Sequence, residues 1–134
     1  MTLVLDASMA VSFVLADEFT AKSKRALAAV AADGAVVPTL WDLEVVNALA
    51  SAERRGRLTP AAMTNGLNGL TRLPINRDHR PVDHLRLTAL MREFAISGYD
   101  ATYLALALDD NLALATLDDR LGHAATKAGV HLSR

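Results

Sequence analysis

The sequence predicts an α/β fold, with a mainly parallel sheet of four to five strands covered by helices on both faces. Three observations point there. Short continuous apolar runs (Leu3-Val4-Leu5, Ala35-Val36-Val37, Leu112 to Thr116) read as strands buried on both sides, the signature of a parallel sheet rather than of a half-wet antiparallel one. These runs alternate with longer helical patterns. The chain has 134 residues, 51% of them apolar, which suits one domain with a full core spanning residues 1–134.

Each element follows from local chemistry. Thr2 to Leu5 is the first strand, and Met9 to Leu15 a short helix. Thr20 to Ala32 is an Ala-rich helix with Lys22, Lys24 and Arg25 on its wet side; Asp33-Gly34 stops it, because glycine accepts the left-handed cap. Ala35 to Val37 is the second strand, ended by Pro38. Thr39 is expected to cap a helix running to Arg55, closed by Gly56. Thr59-Pro60 opens the next helix, with proline in its first turn, and it runs to Arg72. Leu73 to Asn76 is a weak strand. Pro81 to Ile96 is an amphipathic helix on Val82, Leu85, Leu87, Leu90, Met91 and Phe94, broken by Ser97-Gly98. Asp100 to Leu108 is a buried helix, Leu112 to Thr116 a strand, Arg120 to Lys127 a helix, and Val130 to Leu132 a candidate edge strand.

Composition excludes several function classes. There is no cysteine, so disulfides, thiolate metal sites and cysteine nucleophiles are out; a bound metal must be held by oxygen or imidazole. The formal net charge of −1, from 14 basic and 15 acidic side chains, is not that of a strong electrostatic nucleic-acid binder. No signal-peptide pattern opens the chain and no apolar stretch has membrane-spanning length, so the expectation is a soluble cytoplasmic protein with no membrane partner.

Four acids stand where charge is costly. Asp6 ends the first apolar run, Glu44 lies inside the apolar helix Leu40 to Val46, Asp100 opens the run Ala101 to Leu108, and Asp118 closes Leu112 to Leu117. A half-buried carboxylate is expensive unless something positive meets it. Topology brings the four together. In an open parallel sheet, ligands bind at the carboxyl ends of the strands, where Asp6 and Asp118 sit, and Glu44 lies in the second turn of a helix leaving the second strand. Asp100 begins a helix joined to the last strand by the short loop Asp109-Asp110-Asn111, so the two run antiparallel. That helix spans about 14 Å and the strand about 17 Å, which sets Asp100 level with Asp118. Each acid alone has a plainer reading: Asp6 and Asp100 as helix caps, Asp118 or Asp119 as turn residues. A shared divalent cation accounts for all four together and is the first hypothesis, with metal-assisted hydrolysis the matching reaction class.

Other chemistries fit less well. His79, His84, His123 and His131 lack metal-ligand spacing, the serines lack a nucleophile elbow, and there is no glycine-rich phosphate loop. Cations are scattered. Glu53-Arg54-Arg55-Gly56-Arg57, the densest cluster, and Arg77-Asp78-His79-Arg80 are candidate phosphate contacts, although a solvated helix end and a loop are slightly favoured, while Arg120, beside Asp118-Asp119, is placed to contact a substrate or temper the acids.

Four segments in order, Val4-Leu5-Asp6-Ala7-Ser8, Glu44-Val45-Val46-Asn47-Ala48-Leu49, Tyr99-Asp100-Ala101-Thr102-Tyr103-Leu104-Ala105-Leu106-Ala107 and Leu114-Ala115-Thr116-Leu117-Asp118, resemble the PIN domain, specifically the toxin subunit of VapBC-type toxin–antitoxin pairs. The resemblance covers essentially the whole chain. It implies an α/β/α sandwich and a metal-dependent endoribonuclease that cuts structured RNA. Asp6, Glu44, Asp100 and Asp118 become the acidic quartet, with Asp6, Asp100 and Asp118 as metal ligands for Mg²⁺, for which Mn²⁺ can substitute. Thr116, Ser8 and Asn47 become supporting groups, and Thr-x-Asp spacing favours Asp118 as the inner acid with Asp119 outside. The resemblance also implies a cognate antitoxin, a homodimer and a toxin–antitoxin hetero-oligomer. The apolar segment Met9 to Leu15 is mostly core, with part of it a candidate groove for one of these partners. Two rival readings remain: another metal-dependent phosphohydrolase, such as an aspartyl phosphatase (which ordinarily needs a second Asp where this chain has Ser8), and a non-catalytic α/β metal-binding module.

Overall fold

The computed structural model describes residues 1–132; the last two residues of the expected 1–134 domain lie outside the described ones. The strands are β1 (Leu3–Leu5), β2 (Ala35–Pro38), β3 (Ile75–Asp78) and β4 (Ala113–Ala115). The helices are α1 (Ala7–Ser12), α2 (Ala21–Asp33), α3 (Leu40–Arg54), α4 (Pro60–Thr71), α5 (His84–Phe94), α6 (Gly98–Asp110) and α7 (Asp119–Ala128), with one 3₁₀ turn at Ala16–Glu18. The strands form one parallel sheet in the order β3-β2-β1-β4, in an α/β/α sandwich. The two central strands are buried on both faces, as their unbroken apolar runs require: Val4, Leu5 and Val37 are fully enclosed. Helix α6 packs across β1, β2 and β4. Its small residues Ala101 and Ala107 are fully buried, which lets its backbone come close to the sheet. No helix among the described residues is long and apolar enough to cross a membrane.

Several boundaries differ from expectation, each for a local reason. Helix α5 starts at His84, not Pro81, because Asp83 caps it by accepting from the Arg86 amide (3.1 Å). It ends at Phe94, where Ala95 turns left-handed (φ 54°). Helix α6 starts at Gly98 because Ser97 accepts from the Asp100 amide (3.1 Å); the cap role open to Asp100 is therefore taken by Ser97. Helix α1 begins at Ala7, directly after Asp6. Thr39 sits at the start of α3 but makes no side-chain cap. Strand β3 lies two residues later than the weak strand read at Leu73 to Asn76, with Val37 opposite Arg77. Val130 to Leu132 forms no full strand: a single parallel bridge joins Leu114 to His131.

Candidate active site

Asp6 ends β1, and its amide still donates to the Ala115 carbonyl (3.0 Å), so it leaves the sheet beside β4. It occupies the N-cap position of α1 with extended backbone, yet its side chain makes no cap. The carboxylate turns instead to two hydroxyls, its Oδ2 accepting from Ser8 Oγ (2.6 Å) and Thr116 Oγ1 (2.5 Å). Those hydroxyls are held in turn by backbone. Ser8 Oγ accepts from the Leu117 amide and Thr116 Oγ1 from the Asp118 amide, both at 3.0 Å. Asp6 is only 6% exposed. Burial pushes its acidity down and its pKa up; the bonds from Ser8, Thr116 and the Ala7 amide oppose that shift, and the charge of Asp118 adds to it.

Glu44 is placed in the second turn of α3, where Tyr103 of α6 donates its hydroxyl to Oε1 (2.6 Å). Tyr103 is 1% exposed, so this bond is fixed by the core itself. Burial raises the Glu44 pKa, the Tyr103 bond lowers it, and the Asp6 charge raises it again. Asp100 stands in the first turn of α6. Its pKa is pushed up to about 6, first by burial, then by the charges of Asp118, Asp6 and Glu44, with Arg120 pulling the other way. Asp118 caps α7 by accepting from the Leu121 amide (2.8 Å). This capping role, in place of the plain turn residue expected, is compatible with a place at the site, since the same side chain also borders the cleft.

The four acids line one open cleft of about 460 Å³, together with Ser8, the small α3 residues Ala48, Ser51 and Ala52, and two cations, Arg55 and Arg57. Four carboxylates from four chain segments, with like charges adding to the burial that raises the Asp100 pKa, bring together hard oxygens of the kind a divalent cation takes. Among the described residues no three acidic or histidine side chains stand close enough to hold one ion in common. Mg²⁺ needs fewer: it takes one or two carboxylates and keeps several waters, which the cleft has room for. A separate cavity of about 160 Å³ beneath α5, bordered by the ion-paired Arg80 and Arg86, holds none of these acids.

Not every residue expected at the site faces the cleft. Asn47 borders an adjoining recess with Leu40, Leu43, Glu44 and Tyr99, while Ser51 takes the place on the cleft wall. Asp119 points to a second recess with Lys22, His123 and His131, leaving Asp118 as the inward member of the pair. Arg120 is exposed and does not border the cleft, although its charge is felt by Asp100. Conversely, the sequence assigns Tyr103 no role of its own and favours a solvated helix end for Arg55 and Arg57, which border the cleft. Tyr103 lies three residues after Asp100, hence on the same side of α6. Arg55 lies eleven after Glu44, three helical turns on.

Residues 3–127 match the PIN domain family, and the chain belongs to that family. Within it, the relatives are VapC proteins. Ribonuclease VapC9 of Mycobacterium tuberculosis is 35% identical over 119 residues, covering 89% of this chain and 87% of that protein. Ribonuclease VapC3 of the same species is 34% identical over 87 residues, covering 65% of this chain and 62% of that protein, so this match spans less than two thirds of the relative's length. The crystal structure of PAE2754 from Pyrobaculum aerophilum superimposes with a TM-score of 0.71 at 21% identity, covering 92% of this chain and 84% of that one, a likeness of fold.

Proposed function

We propose that the chain is a divalent-metal-dependent endoribonuclease of the cytoplasm, the toxin half of a toxin–antitoxin pair, acting on structured RNA. The observation that carries this reading is the convergence of Asp6, Glu44, Asp100 and Asp118 on one cleft. The names of the VapC relatives, which are ribonucleases, support the substrate class.

One or two of Asp6, Asp100 and Asp118 would hold Mg²⁺, or Mn²⁺ in its place, directly, and the rest through water. Bound there, the ion would polarise the scissile phosphate and acidify water. The chain's own residues do the rest. Asp6, locked by Ser8 and Thr116, presents charge in a fixed direction. Asp100 or Glu44, standing off the ion on the cleft wall, orients the attacking water and accepts its proton. The water oxygen attacks phosphorus in line, the P–O3′ bond breaks, and the leaving 3′ oxygen takes a proton from solvent to become a hydroxyl. The RNA 2′-hydroxyl takes no part, so products carry a 5′-phosphate and a 3′-hydroxyl.

The partners are a cognate antitoxin and a second copy of the chain. Leu43 and Tyr99, each 66% exposed, and Val46 are apolar side chains available for such contacts. The test is incubation of total RNA with the chain in Mg²⁺, in EDTA, and with Asp6→Asn. Cutting confined to the first sample, with 5′-phosphate ends, supports the reading; equal cutting in all three, or 2′,3′-cyclic phosphate ends, overturns it.

A further inference from the structure

We propose that Arg55 forms a phosphate subsite at the far end of the cleft, holding an RNA backbone phosphate remote from the one that is cut. The inference rests on the ribonuclease reading and deepens it. One face of α3 lines the cleft from end to end: Glu44, Ala48, Ser51, Ala52 and Arg55 recur at helical spacing and all border it. Glu44 marks the acidic end; the far end carries Arg55 and Arg57, with Glu18 also on the lining but neutralised by its pair with Arg57. Eleven residues separate them, roughly 16 Å along the helix. Between them stand only alanines and a serine, side chains too short to block a strand lying along the helix.

The two cations at that end are not equivalent. Arg57 is committed: its guanidinium donates to Asp17 (3.0 Å) and Glu18 (2.7 Å), which ties the loop after α3 to the 3₁₀ turn. Arg55 is exposed and makes no ion pair among the described residues, so its charge and fork of donors are available to an anion in the cleft. Acids alone would repel an RNA strand. A free arginine about 16 Å away gives the strand an attractive anchor and fixes which phosphate falls at the carboxylates. Arg55 is thus a positioning residue that sets substrate register and minimum length. The neighbouring Arg54 is exposed and does not border the cleft, which makes it an internal control.

The test measures binding of a labelled single-stranded RNA to the full chain carrying Asp6→Asn, so that nothing is cut, over a series of salt concentrations. Adding Arg55→Ala should weaken binding by about tenfold at low salt and flatten the log–log salt slope by ~0.7. Adding Arg54→Ala should change affinity by less than about twofold. A dinucleotide, too short to reach the subsite, should bind Arg55→Ala and its parent equally. Equal losses for Arg54→Ala and Arg55→Ala, or an unchanged salt slope, overturn the subsite while leaving the nuclease reading intact. Absence of RNA binding by the parent, with no cutting by the unmodified chain, overturns both.

Discussion

The Asp6 corner and the Asp100 wall face each other across one cleft and are built on opposite principles. Asp6 is almost fully buried, and its charge is met by the Ser8 and Thr116 hydroxyls and the Ala7 amide. Asp100 is half-buried, meets only the weak pull of Arg120, and faces three like charges. One carboxylate is held still by its neighbours; the other is held only by the fold and is opposed by its neighbours. In the proposed mechanism, rigid presentation of a ligand oxygen and a carboxylate able to take up a proton are different requirements, and the two walls suit one each.

The comparison breaks first at Asp6. Asp6→Asn keeps the shape but loses the charge that Ser8 and Thr116 organise. RNA cleavage should fall roughly a thousandfold, about 4 kcal/mol of transition-state stabilisation, in a rate measured with saturating Mg²⁺. Retention of more than a tenth of the activity would remove Asp6 from the site. Next comes Thr116→Val, which leaves Asp6 in place and deletes the 2.5 Å bond together with the acceptor of the Asp118 amide. A loss of about 10- to 100-fold is expected, shared between rate and Mg²⁺ affinity, as for other groups that orient metal ligands. Titrating Mg²⁺ against activity separates the two, and an unchanged Mg²⁺ midpoint would mean that Thr116 only supports the fold.

A smaller effect tests the other wall. Tyr103→Phe removes the hydroxyl that steadies Glu44 and leaves the ring packed in the core. Glu44 borders the cleft and keeps access to water, so the lost bond should cost about 1 kcal/mol of stability and several-fold in cleavage. A thermal melt and a rate on one preparation distinguish these. A stability loss with unaltered cleavage would make Tyr103 a core residue and nothing more.

The contrast between the walls also explains what sequence could and could not reveal. Asp6, Asp118 and Thr116 follow a strand end, and their convergence comes from topology that apolar runs encode directly. Asp100 was reachable through its short antiparallel link to β4. Tyr103 was not, because a tyrosine in an apolar helix reads as core, and its partner lies fifty-nine residues away on α3. Arg55 and Arg57 were read as a solvated helix end because charge clusters usually are; only the packing of α3 along the cleft distinguishes them from Arg54. Strand β3 was misplaced because Asn76 and Arg77 are exposed edge positions, where backbone pairing with β2, not side-chain hydrophobicity, sets the register.

The smallest expected effect bears most directly on whether the acids need the proposed cation. The Asp100 pKa near 6 lies above its ordinary value of 3.8, so the native state binds this proton more tightly than the unfolded chain does. Without metal, stability from this group is therefore greatest below pH 4, falls as pH rises through 6, and stays reduced above it. Asp100→Asn removes the penalty. The metal-free variant should melt about 2 °C higher than the parent at pH 7.5, and the gap should close by pH 4. Adding Mg²⁺ should reverse the order, because the ion stabilises only the chain that retains its ligand. A metal-free parent that is the more stable at pH 7.5 would mean that Asp100 is satisfied without a cation, and the contrast between the two walls would fail.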